Sequence, residues 1–295
     1  MSNTDYLKAK VPGGPTAHDP YNIGRRADIL KISSQAAISS YLAEEDKTSH
    51  YIEVPYRSFN LALIDNVSAE YSFLTEFFTT DTYHQMSRRC ANIFEPTFAL
   101  GQTLLTELIS LSYDCLGMLI CVRLNQHFAF ELQRRKVPVA DSYVNGTNMQ
   151  LWPRLQVAMD LHSESIKQLS TTISTRSAAS KLSFTGSASD ASKLSTAPHY
   201  LTQRFAQFLY GILAVSHEAG DDEPVVNSLS RLRAEYESFL QKASKGVGAD
   251  PLKRERFLAN NYSLVLTIIA DAEGRLAVDQ KKHFEALQAS LGGGK

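Results

Sequence analysis

Cysteine is scarce in this sequence. Cys90, Cys115 and Cys121 are the only three, they show no CxxC spacing, and an odd number cannot all pair. That excludes a disulfide-framed scaffold. The polar N-terminus has no apolar core of the signal-peptide kind, so the expected compartment is a reducing cytosol. The Asn-x-Ser/Thr triplets at Asn66, Asn145 and Asn261 are then chance matches, because glycosylation needs the secretory lumen. An excess of positive charge is also missing. Thirty Lys and Arg stand against 31 Asp and Glu, which argues against a nucleic-acid protein. Long hydrophobic runs are absent too. The most apolar, Cys115–Val122, is bracketed by Asp114 and Arg123 and falls far short of the roughly 20 residues a membrane span needs. A soluble protein is expected.

The usual carriers of chemistry are missing as well. Glycine pairs occur only near the chain ends, at Gly13-Gly14 and Gly292–Gly294, so no loop is built to cradle phosphate. The nucleophile-elbow pattern GxSxG does not occur. Eight histidines are scattered, and His162 with Glu164 cannot share a helical face. Asp65 and Glu70, the nearest thing to a carboxylate pair, point to different sides of one helix. No catalytic residue, metal or cofactor is expected. Trp152, the single tryptophan, stands beside Pro153 and reads as a packing wedge.

What is present is helical periodicity. In RSFNLALIDNVSAEYSFLTEFF, Arg57–Phe78, a step of about 100° per residue puts Leu63, Val67, Tyr71, Leu74 and Phe78 within one quarter-turn. Phe59, Phe73 and Phe77 form a second stripe beside it. More than half the circumference is apolar, so this helix is expected between others, as the element that organises the chain. Asn66 and Glu70 lie where the phenylalanines begin, and both are expected to be half buried and structural. Asp65 and Glu76 share the remaining polar line, a candidate partner-binding face.

The rest of the chain reads as arm, helices and loops. Residues 1–19 are Pro/Gly-rich and expected to be unstructured, and a helix near Arg25 turns Ile29, Ile32, Ala36 and Leu42 inward. Val54-Pro55 is expected to be extended, because a residue before proline avoids the helical region. A long helical pattern spans 85–136, ended or kinked at Pro96, with Leu104, Leu108, Leu111, Cys115 and Leu119 on one face. Another covers 139–169. From Ser170 to Ala197 half the residues are Ser or Thr, too few apolar groups to offset ordering entropy, so a disordered loop is expected there. Helices follow with inward Leu201, Phe205, Phe208, Ile212 and Val215, then Val225, Leu229, Leu232, Tyr236 and Phe239, then Leu258, Tyr262, Val265 and Ile269. A last one runs over 276–291, before a tail at 292–295. Alternation of the strand kind never persists. The fold class is all-α, read as an elongated antiparallel bundle or rod in two stretches, 20–169 and 198–291. Arg88-Arg89 and Arg134-Arg135-Lys136 are short basic clusters, open to two readings: solvated helix ends or contacts to anionic lipid.

Several stretches together resemble one family. RSFNLALIDNVSAEYSFLTEFF is similar to the RS-x-x-x-ALxDN-x-x-EYxFxxEFF segment of the vacuolar protein sorting-associated protein 52 family. The Gly-Arg helix within 19–30, the KVPVADSY…LWPRL string, APHYLTQRFAQF and the Asn-Asn-Tyr at 260–262 resemble that family in matching order. Members of the family are subunits of the Golgi-associated retrograde protein (GARP) tethering complex. The resemblance implies a helical rod shared with exocyst-type subunits and a non-enzymatic role in retrograde endosome-to-trans-Golgi transport. It implies sister subunits 51, 53 and 54 as partners, a Golgi Rab-family GTPase and SNAREs as further ones, and peripheral residence on trans-Golgi and endosomal membranes. The family's N-terminal coiled coil and its distal end have no counterpart here, so the resemblance covers a C-terminal part. Two other readings stand beside it: an exocyst-type tethering subunit at the plasma membrane, and an unrelated all-α adaptor or enzyme.

Overall fold

A computed structural model describes residues 19–31, 50–79, 82–182, 196–217 and 223–292. Among them every regular element is helical. The fold class is all-α. The expected arm up to residue 18, the inward positions Ile32, Ala36 and Leu42, and residues 293–295 lie outside the described residues. Among the described residues a short 3-10 turn, Arg26–Leu30, precedes eight α-helices: α1 Glu53–Phe77, α2 Tyr83–Ser110, α3 Cys115–Arg135, α4 Asp141–Leu182, α5 Tyr200–Val215, α6 Pro224–Ser244, α7 Pro251–Ile268 and α8 Arg275–Gly292. The chain divides into two compact units, Gly24–Leu155 and Met1–Ile23 with Gln156–Lys295. The division falls inside α4 rather than in the Ser/Thr-rich stretch.

Four expectations are corrected. First, α1 starts at Glu53, so Val54-Pro55 is helical. Proline in a first turn removes only a donor that would have no intrahelical partner anyway. Second, the long pattern over 85–136 is two helices. Pro96 stays inside α2, and the break comes at 111–114. There the Asp114 side chain caps α3 by accepting from Gly117 N–H (2.9 Å). Arg154 donates to the carbonyls of Ile109 (2.9 Å) and Ser112 (2.7 Å), closing the end of α2. Leu111, expected inward, is therefore at the surface. Third, α4 continues to Leu182, so residues 170–182 are helical although rich in Ser and Thr. Thr171 and Thr172 return their hydroxyls to carbonyls three residues back, which satisfies them within the helix. The rest of the expected loop, 183–195, lies outside the described residues.

The fourth correction concerns the centre of the first unit. Cys115–Val122 of α3 is buried at every position, whereas α1 buries a single face. A helix apolar all round sits inside, and here that helix is α3. Several buried polar groups inside the unit are paired across helices. Tyr56 Oη donates to Asn125 Oδ1 (3.2 Å), Asn125 Nδ2 donates to Val144 O (3.0 Å), and Tyr143 Oη donates to Asn60 Oδ1 (2.8 Å). This chain of bonds ties α1, α3 and α4 together at depth. Gly101 makes room for it, since a Cβ there would meet the Tyr143 hydroxyl at 2.6 Å and Phe59 at 2.8 Å.

In the second unit the expected inward residues of α5, α6 and α7 are buried, as the four-three spacing required. Phe205 and Tyr236 stack with centroids 3.9 Å apart. Asn261 locks the start of α5 onto α7. Its Oδ1 accepts from His199 N–H (2.9 Å) and from the Thr202 hydroxyl, and its Nδ2 donates to Phe257 O (2.7 Å). Asn260 adds a bond to Thr196 O (2.7 Å). Tyr21 is buried in this unit, edge-on to His162 and Phe208.

Candidate interaction surface

Arg26 lies under the first unit's surface, and no spacing in the chain marks it out. Its guanidinium binds Glu53 through two bonds, 2.7 Å from Nε and 2.9 Å from Nη2. It binds Asp114 through two more, 3.2 Å from Nη1 and 2.6 Å from Nη2. The same group stacks 3.8 Å over the Tyr51 ring. Glu53 opens α1 and Asp114 caps α3, so both carboxylates sit at positive helix ends while one arginine joins them. Burial alone would lower the Arg26 pKa, but Glu53 and Asp114 outweigh it and hold the group charged. Gly117 is fixed by this packing: a Cβ would come within 2.7 Å of Arg26 and 2.8 Å of Asp114. The only signal for Arg26 in the sequence was its place in the Gly-Arg segment that resembles the family.

The candidate partner face and the candidate lipid cluster meet. Arg135 Nη1 binds Asp65 Oδ1 at 2.8 Å, and Arg135 Nε binds Glu131 Oε1 at 2.7 Å. Arg134 holds Glu131 at 2.6 and 2.8 Å. The hydrogen bond from Arg134, with further help from Arg135, lowers the Glu131 carboxyl to about 2. Two of the three cluster cations are thus engaged with acids. The third, Lys136, ends α3 in the left-handed region (φ 57°, ψ 47°). Its N–H reaches Gln133 O, and Val137 N–H reaches Leu132 O, the paired bonds of a Schellman stop. Lys136 is exposed, but its backbone terminates the helix. Beside this patch an open groove of about 470 Å³ is floored by Leu61, Leu124 and Phe128.

The remaining residues of α1 divide. Leu63, Val67 and Leu74 are buried; Phe59, Tyr71 and Phe78 are half-buried. Phe77, expected in the core, is 67% exposed, and Phe73 is 56% exposed. Asn66 and Glu70 are exposed too, contrary to expectation. Asn66 turns its Nδ2 back to Ala62 O (2.7 Å), so it finds its partner within the helix. The cause is the position of α3: because α3 fills the centre, α1 needs one buried face, and its second aromatic stripe stays outside. Glu76 is exposed, as is the pair Arg88 and Arg89, with Arg89 lying over Phe78 (4.6 Å).

The three thiols are free and buried, and burial pushes all three upward, so none is disposed to act as a thiolate. No group of three or more His, Cys, Asp or Glu placed to hold a metal occurs among the described residues. No helix among them is long and apolar enough to cross a membrane.

Comparison with known proteins agrees with the resemblance seen in the sequence. The family model described as Vps52, C-terminal matches residues 6–292. Vacuolar protein sorting-associated protein 52 of Schizosaccharomyces pombe is 36% identical over 246 residues, covering 83% of this chain and 45% of the relative. Its Saccharomyces cerevisiae namesake is 36% identical over 262 residues, 86% and 40% of the two chains. Vacuolar protein sorting-associated protein 52 B of Arabidopsis thaliana is 28% identical over 270 residues, 92% and 35%. This chain spans less than half the length of these relatives. No solved structure matches it. With a family model covering nearly the whole chain and two relatives at 36% identity, the chain belongs to the Vps52 family, in the C-terminal part of that family's proteins.

Proposed function

We propose that this chain is a non-enzymatic scaffold part of a GARP-type vesicle-tethering complex, acting in retrograde endosome-to-trans-Golgi transport. The observation that carries the reading is the family match over residues 6–292. The geometry is in keeping with it: several buried polar groups of the first unit join helices, through Arg26 and through Tyr56, Asn125 and Tyr143. The partners are sister subunits 51, 53 and 54, with a Golgi Rab-family GTPase and SNAREs meeting the assembled complex. Residence on trans-Golgi and endosomal membranes is peripheral and comes through those partners, because Arg134 and Arg135 are already engaged by Glu131 and Asp65. Glu76 remains the candidate partner contact of the α1 polar line. The test is to express the tagged chain in cells and identify what co-purifies. Recovery of subunits 51, 53 and 54 supports the reading. Recovery of exocyst subunits in their place, or of neither set, overturns it.

A further inference from the structure

Helix α2 leaves one line of its surface uncovered. Ile93, Leu100 and Leu111 are 46%, 60% and 84% exposed. A spacing of seven puts Ile93 and Leu100 within about 20° of one another on the helix, and Leu111 is the residue that follows its end. Around them Arg89, Ile93, Pro96, Leu100, Thr103 and Glu107 follow the four-three step of a coiled-coil seam, and all six are exposed. The opposite side of α2, with Phe94, Leu105 and Ile109, is already in the core. The seam therefore faces outward on a helix held from behind.

Its charges are ordered along its length. Arg89 stands at the N-terminal end, steadied over the Phe78 ring, and Glu107 stands at the other end. A seam with opposite charges at its two ends is complementary to itself run in reverse. In an antiparallel pair, each position of one alternating set faces one of the other set. Arg89 then meets Glu107 of the second copy, Ile93 meets Thr103 and Pro96 meets Leu100, each contact occurring twice about a two-fold axis. A parallel pair would set arginine against arginine and glutamate against glutamate. We propose that the occupant of this seam is a second copy of the chain, with the two α2 helices antiparallel and Arg89 paired with Glu107 across the interface. So short a seam gives a weak, reversible association that grows with concentration. The inference does not depend on the tethering reading.

Sedimentation equilibrium of the whole chain at rising concentration tests it. The parent mass should climb toward two copies. Arg89→Glu, Glu107→Arg and Leu100→Glu should each weaken association by about 10-fold or more, since like charges or a buried acid would face each other. The double variant Arg89→Glu/Glu107→Arg should regain the parent behaviour. Mixing the two single charge variants should restore association that neither shows alone, because one chain then presents two acids and the other two bases. Far-ultraviolet circular dichroism checks folding. Should Arg89→Glu disturb Phe78, Glu107→Arg and Leu100→Glu, which replace exposed side chains, still decide. A parent that stays monomeric throughout overturns the proposal and leaves the seam to a helix of another protein. Association indifferent to the charge reversals, or mixing without effect, overturns it equally.

Discussion

Replacing Arg26 by alanine should damage the first unit far more than an ordinary surface arginine would. The variant leaves Glu53 and Asp114 inside the protein with their cation removed, and four hydrogen bonds go with it. Removing one partner of a buried ion pair costs about 3–5 kcal/mol, because the remaining charge stays desolvated and unbalanced. Against a typical stability of roughly 5–15 kcal/mol, that is a large share. Trp152 makes the measurement local: it is the only tryptophan and lies within Gly24–Leu155, so its fluorescence during urea unfolding follows that unit. A second variant separates charge from packing. In Arg26→Met/Glu53→Gln/Asp114→Asn the charges are gone from all three positions, and most of the stability should return, as neutral replacements of buried ion pairs commonly allow. A loss below about 1 kcal/mol for Arg26→Ala, the level of an exposed pair, would refute the clamp.

Three further outcomes are expected. Leu74→Ala should cost about 2–5 kcal/mol, whereas Phe77→Ala, on the exposed stripe, should stay within about 0.5 kcal/mol; urea unfolding followed by Trp152 compares them. Lys136→Gly should stabilise by up to about 1 kcal/mol, since glycine takes the left-handed backbone without the side-chain penalty, read as a rise in urea midpoint at unchanged slope. His199 caps α5 through Nδ1, which accepts from Leu201 N–H (3.1 Å), and burial lowers its pKa to about 4. Because the unfolded chain binds a proton on that ring near pH 6.5 and the folded one does not, stability should fall as pH drops from about 6.5 to 4, by on the order of 3 kcal/mol; His199→Asn should keep the cap and flatten that slope.

How much of this could be read from the residues depends on how many neighbours a helix has. In the second unit each helix buries one stripe, so the four-three steps through Leu201, Val225 and Leu258 mark inward positions that are buried. Periodicity reports orientation when a helix has a wet side and a dry side. It reports nothing when all sides are dry. Cys115–Val122 has no wet side, and its lack of period was the sign that it belongs at the centre. The aromatic richness of α1 pointed the other way: Phe73 and Phe77 made that helix look surrounded, but they lie outside. Large apolar residues on a surface are common enough that their number cannot tell core from interface. The break between α2 and α3 was hidden for a different reason. Asp114 looks like any surface acid until its side chain is seen capping Gly117, and Arg154, 40 residues later, supplies the donors that end α2.

The charged residues show why a surface is harder to read than a core. Asp65 and Arg135 are 70 positions apart, and each looked available: one as an acid for a partner, the other as a base for lipid. Packing of α1 on α3 brings them to 2.8 Å, and the availability of both falls together. A charge run in sequence states what a helix carries, and only the neighbouring helix states what is left over. Arg26 is the same lesson inverted. Beside Arg25 it looks like half of an ordinary exposed pair, yet Arg25 points to solvent while Arg26 holds two helix starts together. One residue's difference in register along a 3-10 turn separates a solvated cation from the joint of the first unit. Such a joint fixes the angles between α1, α3 and the turn before them without using any outward face, so the line of α2 and the aromatic stripe of α1 stay at the surface.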